Sequence, residues 1–157
     1  MSVRAAALEE FREQELDVEI KRHRPHRSLS ANAYFHVLCD KLRQALEMSM
    51  AECKNHLITS YGQVEYIGDQ QAIVKTNIEP DKMAQAEYLH AALVKIDADG
   101  VYFYRVYRGS HTYNSAEMSK LIDGTVEECK AQGIETASPD EIARMIAALD
   151  RRQHGQE

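Results

Sequence analysis

Residues 92–107 carry the feature that most limits how this chain can fold, a β-hairpin signature set between helical patterns. The runs Ala92–Ile96 and Val101–Tyr107 are rich in β-branched and aromatic residues, and Asp97-Ala-Asp-Gly100 between them is typical of a tight turn. The segments on either side have the three- and four-residue apolar spacing of amphipathic helices. We therefore expect an α+β fold, with a small mixed or antiparallel sheet and about five helices, rather than a repeating β-α-β chain.

Helix starts are marked by polar capping residues. Ser28 or Ser30 is expected to cap a long helix after Pro25. Three further caps open later helices: Ser49-Met-Ala-Glu52, Asn114-Ser-Ala-Glu117 and Ser138-Pro-Asp-Glu141. In each of these a side-chain oxygen can accept a hydrogen bond from the N–H three residues on. These caps place most of the predicted helices.

Weaker patterns complete the prediction. Val3–Gln14 predicts a short helix, and Leu16–Ile20 alternates apolar and charged residues like a half-buried strand. Residues 64–67 and 72–76 are expected to pair as strands across Gly68-Asp69. Pro80 suits the first turn of a helix that would run to about Leu89.

The length of 157 residues suits one domain with an ordinary hydrophobic core. No repeat or linker divides the sequence, so residues 1–157 are expected to form a single compact domain with a frayed tail from about residue 153. The apolar runs are too short for a membrane span, and the N-terminus lacks the layout of a signal peptide. The three cysteines are expected to be small buried hydrophobes in a cytoplasmic protein.

The charge distribution is uneven although the net charge is −6. Between Lys21 and Cys39 there is no acidic residue, and Lys21, Arg22, Arg24 and Arg27 give +4. Residues 100–116 also lack acids and carry Arg105 and Arg108. Two basic segments in an otherwise acidic chain are a candidate footprint for a polyanion, although such runs are more often solvated surface.

The second basic segment is also aromatic, since four of the eight tyrosines lie between positions 102 and 113. Aromatic and basic side chains on one strand are typical of single-stranded nucleic-acid binding, by base stacking and phosphate neutralisation. Alternation would place Tyr102 and Tyr104 on an outward face, with Phe103 on the opposite, core-facing side. The alternative is that these aromatic residues simply pack across the sheet.

Catalytic motifs are weak. His23, His26, Asn32 and His36 suggest a metal-dependent His-Asn-His nuclease, but their spacing does not suit the hairpin-and-helix frame of that chemistry. No G-x-S-x-G turn, Walker loop or G-x-G-x-x-G loop is present. We therefore expect no catalytic residue, metal or cofactor, with a nuclease and a protein-only adaptor as the alternative functions.

Two stretches of the chain resemble the phage NinB (Orf) family of recombination proteins. Residues 18–38 (VEIKRHRPHRSLSANAYFHVL) are similar to that family's strand, R-S-L-x-x-N turn and helix. The segments Gly109-Ser-His-Thr-Tyr113, Ala116–Leu121 and Gly133-Ile134 resemble its C-terminal helical unit. Together they cover about half of the chain.

This resemblance implies an α+β homodimer in a bacterial host's cytoplasm that binds single-stranded DNA. It also implies a non-catalytic role, in which the protein helps to load a recombinase past host single-strand-binding protein. The broad apolar stripe that includes Leu121, Ile122 and Val126 is a further reason to expect a dimer. The candidate DNA-binding residues are Lys21, Arg22, Arg24, Arg27, Asn32, Tyr102, Tyr104, Arg105 and Arg108. For Asn32, a role in fixing the turn is the favoured one.

Overall fold

The four polar caps determine where the longer helices begin. The structure, a computed structural model, describes residues 29–155. The helices are α1 (Ala31–Leu46), α2 (Met50–Tyr61), α3 (Pro80–Met83), α4 (Ser115–Ala131) and α5 (Pro139–His154). Ser30, Ser49, Asn114 and Ser138 each accept a hydrogen bond from the backbone N–H three residues on, which confirms the caps.

Five short strands form two antiparallel sheets. They are β1 (Tyr66–Ile67), β2 (Gln70–Gln71), β3 (Ile73–Thr76), β4 (His90–Ile96) and β5 (Tyr102–Tyr107). The first two make a small ribbon, and the others make a three-stranded sheet in the order β3-β5-β4. The α+β prediction is confirmed.

The predicted Asp97–Gly100 turn joins β4 to β5. Asp97 Oδ1 accepts hydrogen bonds of 2.9 Å from the N–H groups of Asp99 and Val101, and Gly100 has the positive φ of 80° that a turn of this kind requires. A register shift between Leu93 and Lys95 adds one residue to β4 there, which is a β-bulge.

Two local predictions were wrong in detail. Residues 73–76 pair with β5 and not with residues 64–67, because Gly68-Asp69 closes only the two-residue ribbon of β1 and β2. The helix at Pro80 ends at Met83 instead of about Leu89. The last helix ends at His154, close to the position where the tail was expected to begin. The predicted helix Val3–Gln14 and strand Leu16–Ile20 lie outside the described residues.

Helices α1, α2 and α4 enclose the main core. Phe35, Leu38, Leu57 and Leu121 are among its fully buried members, and α5 packs half-buried side chains against it. The three cysteines are free and buried, as predicted, and burial raises the pKa of Cys129 to about 11.

Leu121, Ile122 and Val126 belong to this same core. They are therefore buried within the chain, and their stripe gives no support to the predicted homodimer. None of the helices between residues 29 and 155 is both long and apolar enough to cross a membrane.

The sheet meets the helices through Asn55 of α2. Its side chain accepts a hydrogen bond of 3.0 Å from Ala91 N–H and donates one of 3.4 Å to the Ala91 carbonyl. Asn55 thereby occupies the edge of β4 as a neighbouring strand would.

Candidate nucleic-acid interface

Only part of the predicted interface lies within the described residues. Lys21, Arg22, Arg24 and Arg27 fall before residue 29 and are outside the described part of the chain. The other candidates lie in α1, in β5 and just after β5.

Asn32 connects two distant parts of the fold. It lies in the first turn of α1, and its Oδ1 accepts a hydrogen bond of 2.7 Å from Ser110 Oγ. Ser110 begins the 3-10 turn Ser110–Thr112 that follows β5. The contact is structural, but it joins Asn32 to a turn distant in sequence, and the turn that Asn32 was expected to fix begins before the described residues.

Tyr104 does not face outward as predicted. It is 1% exposed, packs with Met83 and Ala91, and donates a 2.7 Å hydrogen bond to the Ile78 carbonyl. Tyr102 is half-buried against it, with ring centroids 6.2 Å apart. The alternation itself was correct, but the segment around Met83 covers the face that was expected to be open. Tyr104 is therefore unable to stack on a base.

Arg108 has a partner for its charge. Its Nη2 lies 2.8 Å from Glu117 Oε1, and its guanidinium lies 5.4 Å from the centre of the Tyr113 ring. Glu117 also caps α4 by accepting from Asn114 N–H. Arg108 thus links the end of β5 to the start of α4, and a phosphate would compete with Glu117 for its guanidinium.

The opposite face of the sheet carries an aromatic and basic surface. Phe103 pairs in register with Lys75 of β3 on one side and with Lys95 of β4 on the other. The Nζ atoms lie 5.5 Å (Lys75) and 4.6 Å (Lys95) from the centre of the Phe103 ring. Both distances are within the range of cation–π attraction.

Phe103 was expected to face the core, and that expectation was wrong. Its ring is only half-buried, while Lys75 and Lys95 are exposed and Ile73 is 46% exposed. Arg105, two residues along the strand, shares this face and donates from Nε to Gln71 Oε1 at 2.9 Å. We call the set Lys75, Lys95, Phe103 and Arg105 the Phe103 face.

The β-bulge is what brings Lys95 to the Phe103 face. Leu93 pairs with Tyr104, so strict alternation would return Lys95 to the Tyr104 face two residues later. The extra residue Val94 shifts the register by one, and Lys95 pairs with Phe103 instead.

Asp97 is the acidic residue near this surface. Its pKa lies below the usual value because it accepts from Val101 N–H, with smaller effects from Asp99 N–H and from the two lysines. Its Oδ1 is engaged in the turn. Three of the four side chains of the Phe103 face are cationic, and the Asp97 carboxylate lies in the adjoining turn.

A second group of polar residues, which sequence patterns did not indicate, surrounds a small cavity. Asn32 and His36 of α1, Lys54 of α2, His90 at the start of β4, and His111 after β5 line it. They come from four separate parts of the chain, so no spacing rule could have joined them. Within residues 29–155, no three His, Cys, Asp or Glu side chains form a group able to hold a metal ion.

Comparison with protein-family models, with curated proteins and with solved structures gave no match. The function of the protein is therefore inferred from the geometry of the described residues and from the resemblance in sequence.

Proposed function

We propose that this protein is a non-catalytic, single-stranded-DNA-binding accessory protein of phage or prophage recombination. The observation that carries the DNA-binding part is the Phe103 ring, which lies between two lysine ammonium groups on a half-open sheet face. A partly exposed aromatic ring can stack on any base, and flanking cations neutralise the phosphates on either side.

The strand with aromatic and basic residues was identified from the sequence, and the geometry changes which of its side chains would bind. Phe103 takes the stacking role in place of Tyr102 and Tyr104. Lys75 and Lys95 join Arg105 as the phosphate-neutralising groups. The segment Lys21–Arg27 remains part of the proposal as a second source of positive charge.

The recombination role and the partners come from the NinB-like segments. On that basis, the protein acts as a homodimer in the host cytoplasm and assists recombinase loading against host single-strand-binding protein. Light scattering tests the dimer, because a mass near 18 kDa across micromolar concentrations would contradict it.

Fluorescence anisotropy with a single-stranded oligonucleotide at low salt tests the binding surface. Phe103→Ala should weaken binding by about tenfold, since one stacked base contributes about 1–3 kcal/mol. Tyr66→Ala is the matched control, because Tyr66 is a 54% exposed aromatic residue of the separate ribbon.

Salt dependence tests the two lysines. Lys75→Gln combined with Lys95→Gln should reduce the slope of log K against log salt by about 1.4, or about 0.7 for each lost phosphate contact. Lys120→Gln with Lys130→Gln, on exposed positions of α4, is the control for the same loss of charge.

Wild-type affinity in both the Phe103 and the lysine variants would reject the Phe103 face. If the wild-type protein binds no DNA at low salt, the protein-only adaptor becomes the better hypothesis. Cleavage of labelled DNA in Mg²⁺, Mn²⁺ or Zn²⁺ would instead favour the nuclease.

A further inference from the structure

The cavity beside α1 has the size and chemistry of a site for a small anion. Its volume is about 190 Å³, well below the roughly 300–1,000 Å³ of pockets for drug-sized ligands. A single tetrahedral group with a few waters suits this space. A whole nucleoside does not.

His90 is the most informative of the lining residues. It is only 7% exposed, and its Nδ1 has no hydrogen-bond partner among the described residues. A buried polar atom without a partner costs about 1–3 kcal/mol, so this nitrogen calls for a partner in the cavity, which a ligand, an ion or an ordered water can provide.

The cavity is also lined by more basic than acidic residues. Burial, and then the nearby Lys54 ammonium, lower the pKa of His36, and the same two causes with His36 itself lower the pKa of His90 to about 4. An anion placed among these groups would reverse that effect and allow the imidazoles to take up protons and donate. The acidic lining residue, Glu87, is exposed.

A further donor comes from α1. Asn32 accepts from Ser110 through Oδ1, and within residues 29–155 its amide NH₂ makes no hydrogen bond, so it can donate to a bound oxygen. Asn32 lies in the first turn of α1, where the helix dipole favours an anion.

Tyr88 indicates what the anion is attached to. Tyr88 is one of the residues that line the cavity, and it is 95% exposed, which is unusual for a large aromatic residue without a partner. An aromatic ring next to a small anion site is the arrangement that a nucleotide requires, with the phosphate in the cavity and the base against the ring.

We propose that this cavity binds the terminal phosphate of a nucleic-acid strand, with Lys54, Asn32 and His90 around the phosphate and Tyr88 beside the first base. This inference rests on the proposed function, because it names the part of single-stranded DNA that this second site recognises. A terminal phosphate monoester carries more charge than an internal phosphodiester and suits a small, partly open cavity, whereas the broader Phe103 face suits the continuous strand.

Three short oligonucleotides of one sequence test the proposal, with a 5′-phosphate, a 3′-phosphate or hydroxyls at both ends. We expect one phosphorylated form to bind about tenfold more tightly than the hydroxyl form, as for one or two charge-assisted hydrogen bonds. The preferred form also identifies which end enters the cavity.

Lys54→Gln should remove this preference while leaving binding of the hydroxyl form intact, and Lys120→Gln is its control. Tyr88→Ala should weaken binding of the preferred phosphorylated form, and Tyr66→Ala is its control. Inorganic phosphate should abolish only the additional affinity of the phosphorylated oligonucleotide over the hydroxyl form. It should also shift the ring signals of His36 and His90 in NMR spectra of the wild-type protein. That titration needs no variant, so it decides the matter even if a variant fails to fold.

The outcomes separate the two proposals. Equal binding of all three oligonucleotides, without phosphate-induced shifts at His36 and His90, overturns this inference and leaves the Phe103 face untouched. If inorganic phosphate shifts the signals of His36 and His90 but no oligonucleotide binds, the proposed function is overturned. The assignment of the cavity to a strand end is then overturned as well.

Discussion

The helical layer and the three-stranded sheet differ in how much core each contains. Fifteen buried residues form the core enclosed by α1, α2 and α4, whereas the sheet has its own small cluster of three, Met83, Ala91 and Tyr104. The helical layer can therefore supply most of the stability, and the sheet can present apolar and charged side chains to solvent. The difference explains why two phenylalanines, Phe35 and Phe103, should respond so differently to the same substitution.

The largest expected effect is on stability in the helical layer. Phe35 is fully buried, so Phe35→Ala should lower the free energy of unfolding by about 3–5 kcal/mol. Phe103→Ala should lower it by less than about 1 kcal/mol, because that ring is only half-buried. Urea unfolding of both variants measures the contrast, and equal losses would show that the Phe103 face is part of a core.

The stability of the protein should depend on pH through His90, which lies where the helical layer meets the sheet. Its pKa of about 4 is below the unfolded value of 6.5, so the unfolded chain binds the proton more readily. No stability is lost above pH 6.5. Between pH 6.5 and about 4, stability should fall by about 1.4 kcal/mol per pH unit from this group.

Urea unfolding at pH 7, 6 and 5 measures that loss. In His90→Gln, the share of the pH-dependent loss of stability that is due to His90 should disappear. The pKa of His36 is also lowered, so His36 continues to reduce stability as the pH falls. An unchanged pH slope in His90→Gln would mean that His90 titrates normally in the folded protein.

The smallest expected effect is within the sheet's own core. Tyr104→Phe keeps the ring and removes the hydroxyl that donates to the Ile78 carbonyl, so it should cost about 1–2 kcal/mol. Thermal unfolding measures this cost, and affinity for single-stranded DNA should not change. A clear loss of affinity at unchanged stability would restore Tyr104 to the interface.

Features that depend on neighbouring residues were predictable from the sequence. The caps at Ser49 and Asn114 and the turn at Asp97–Gly100 arise from hydrogen bonds within three or four positions. Alternation also correctly placed Tyr104 and Phe103 on opposite faces of the sheet, because successive side chains in a strand point to opposite faces.

Features that depend on distant segments were not predictable in this way. The choice of buried face on β5 follows from Met83, which packs on Tyr104 from twenty-one positions earlier. Arg108 could not be matched to Glu117 from its charge alone. The cavity combines α1, α2, β4 and the turn after β5, and nothing in the local sequence of His36 or His90 indicates that they meet.

The β-bulge at Val94 makes the charge of the Phe103 face depend on the register of β4. If the bulge were lost while Val94 stayed in the chain, Val94 would lie opposite Phe103, and Lys95 would move opposite Tyr102 on the other face of the sheet. Deletion of Val94 would instead leave Lys95 opposite Phe103 in a regular ladder. A shift of one residue in strand pairing is thus a route by which this sheet could lose affinity for a polyanion without the loss of any basic side chain.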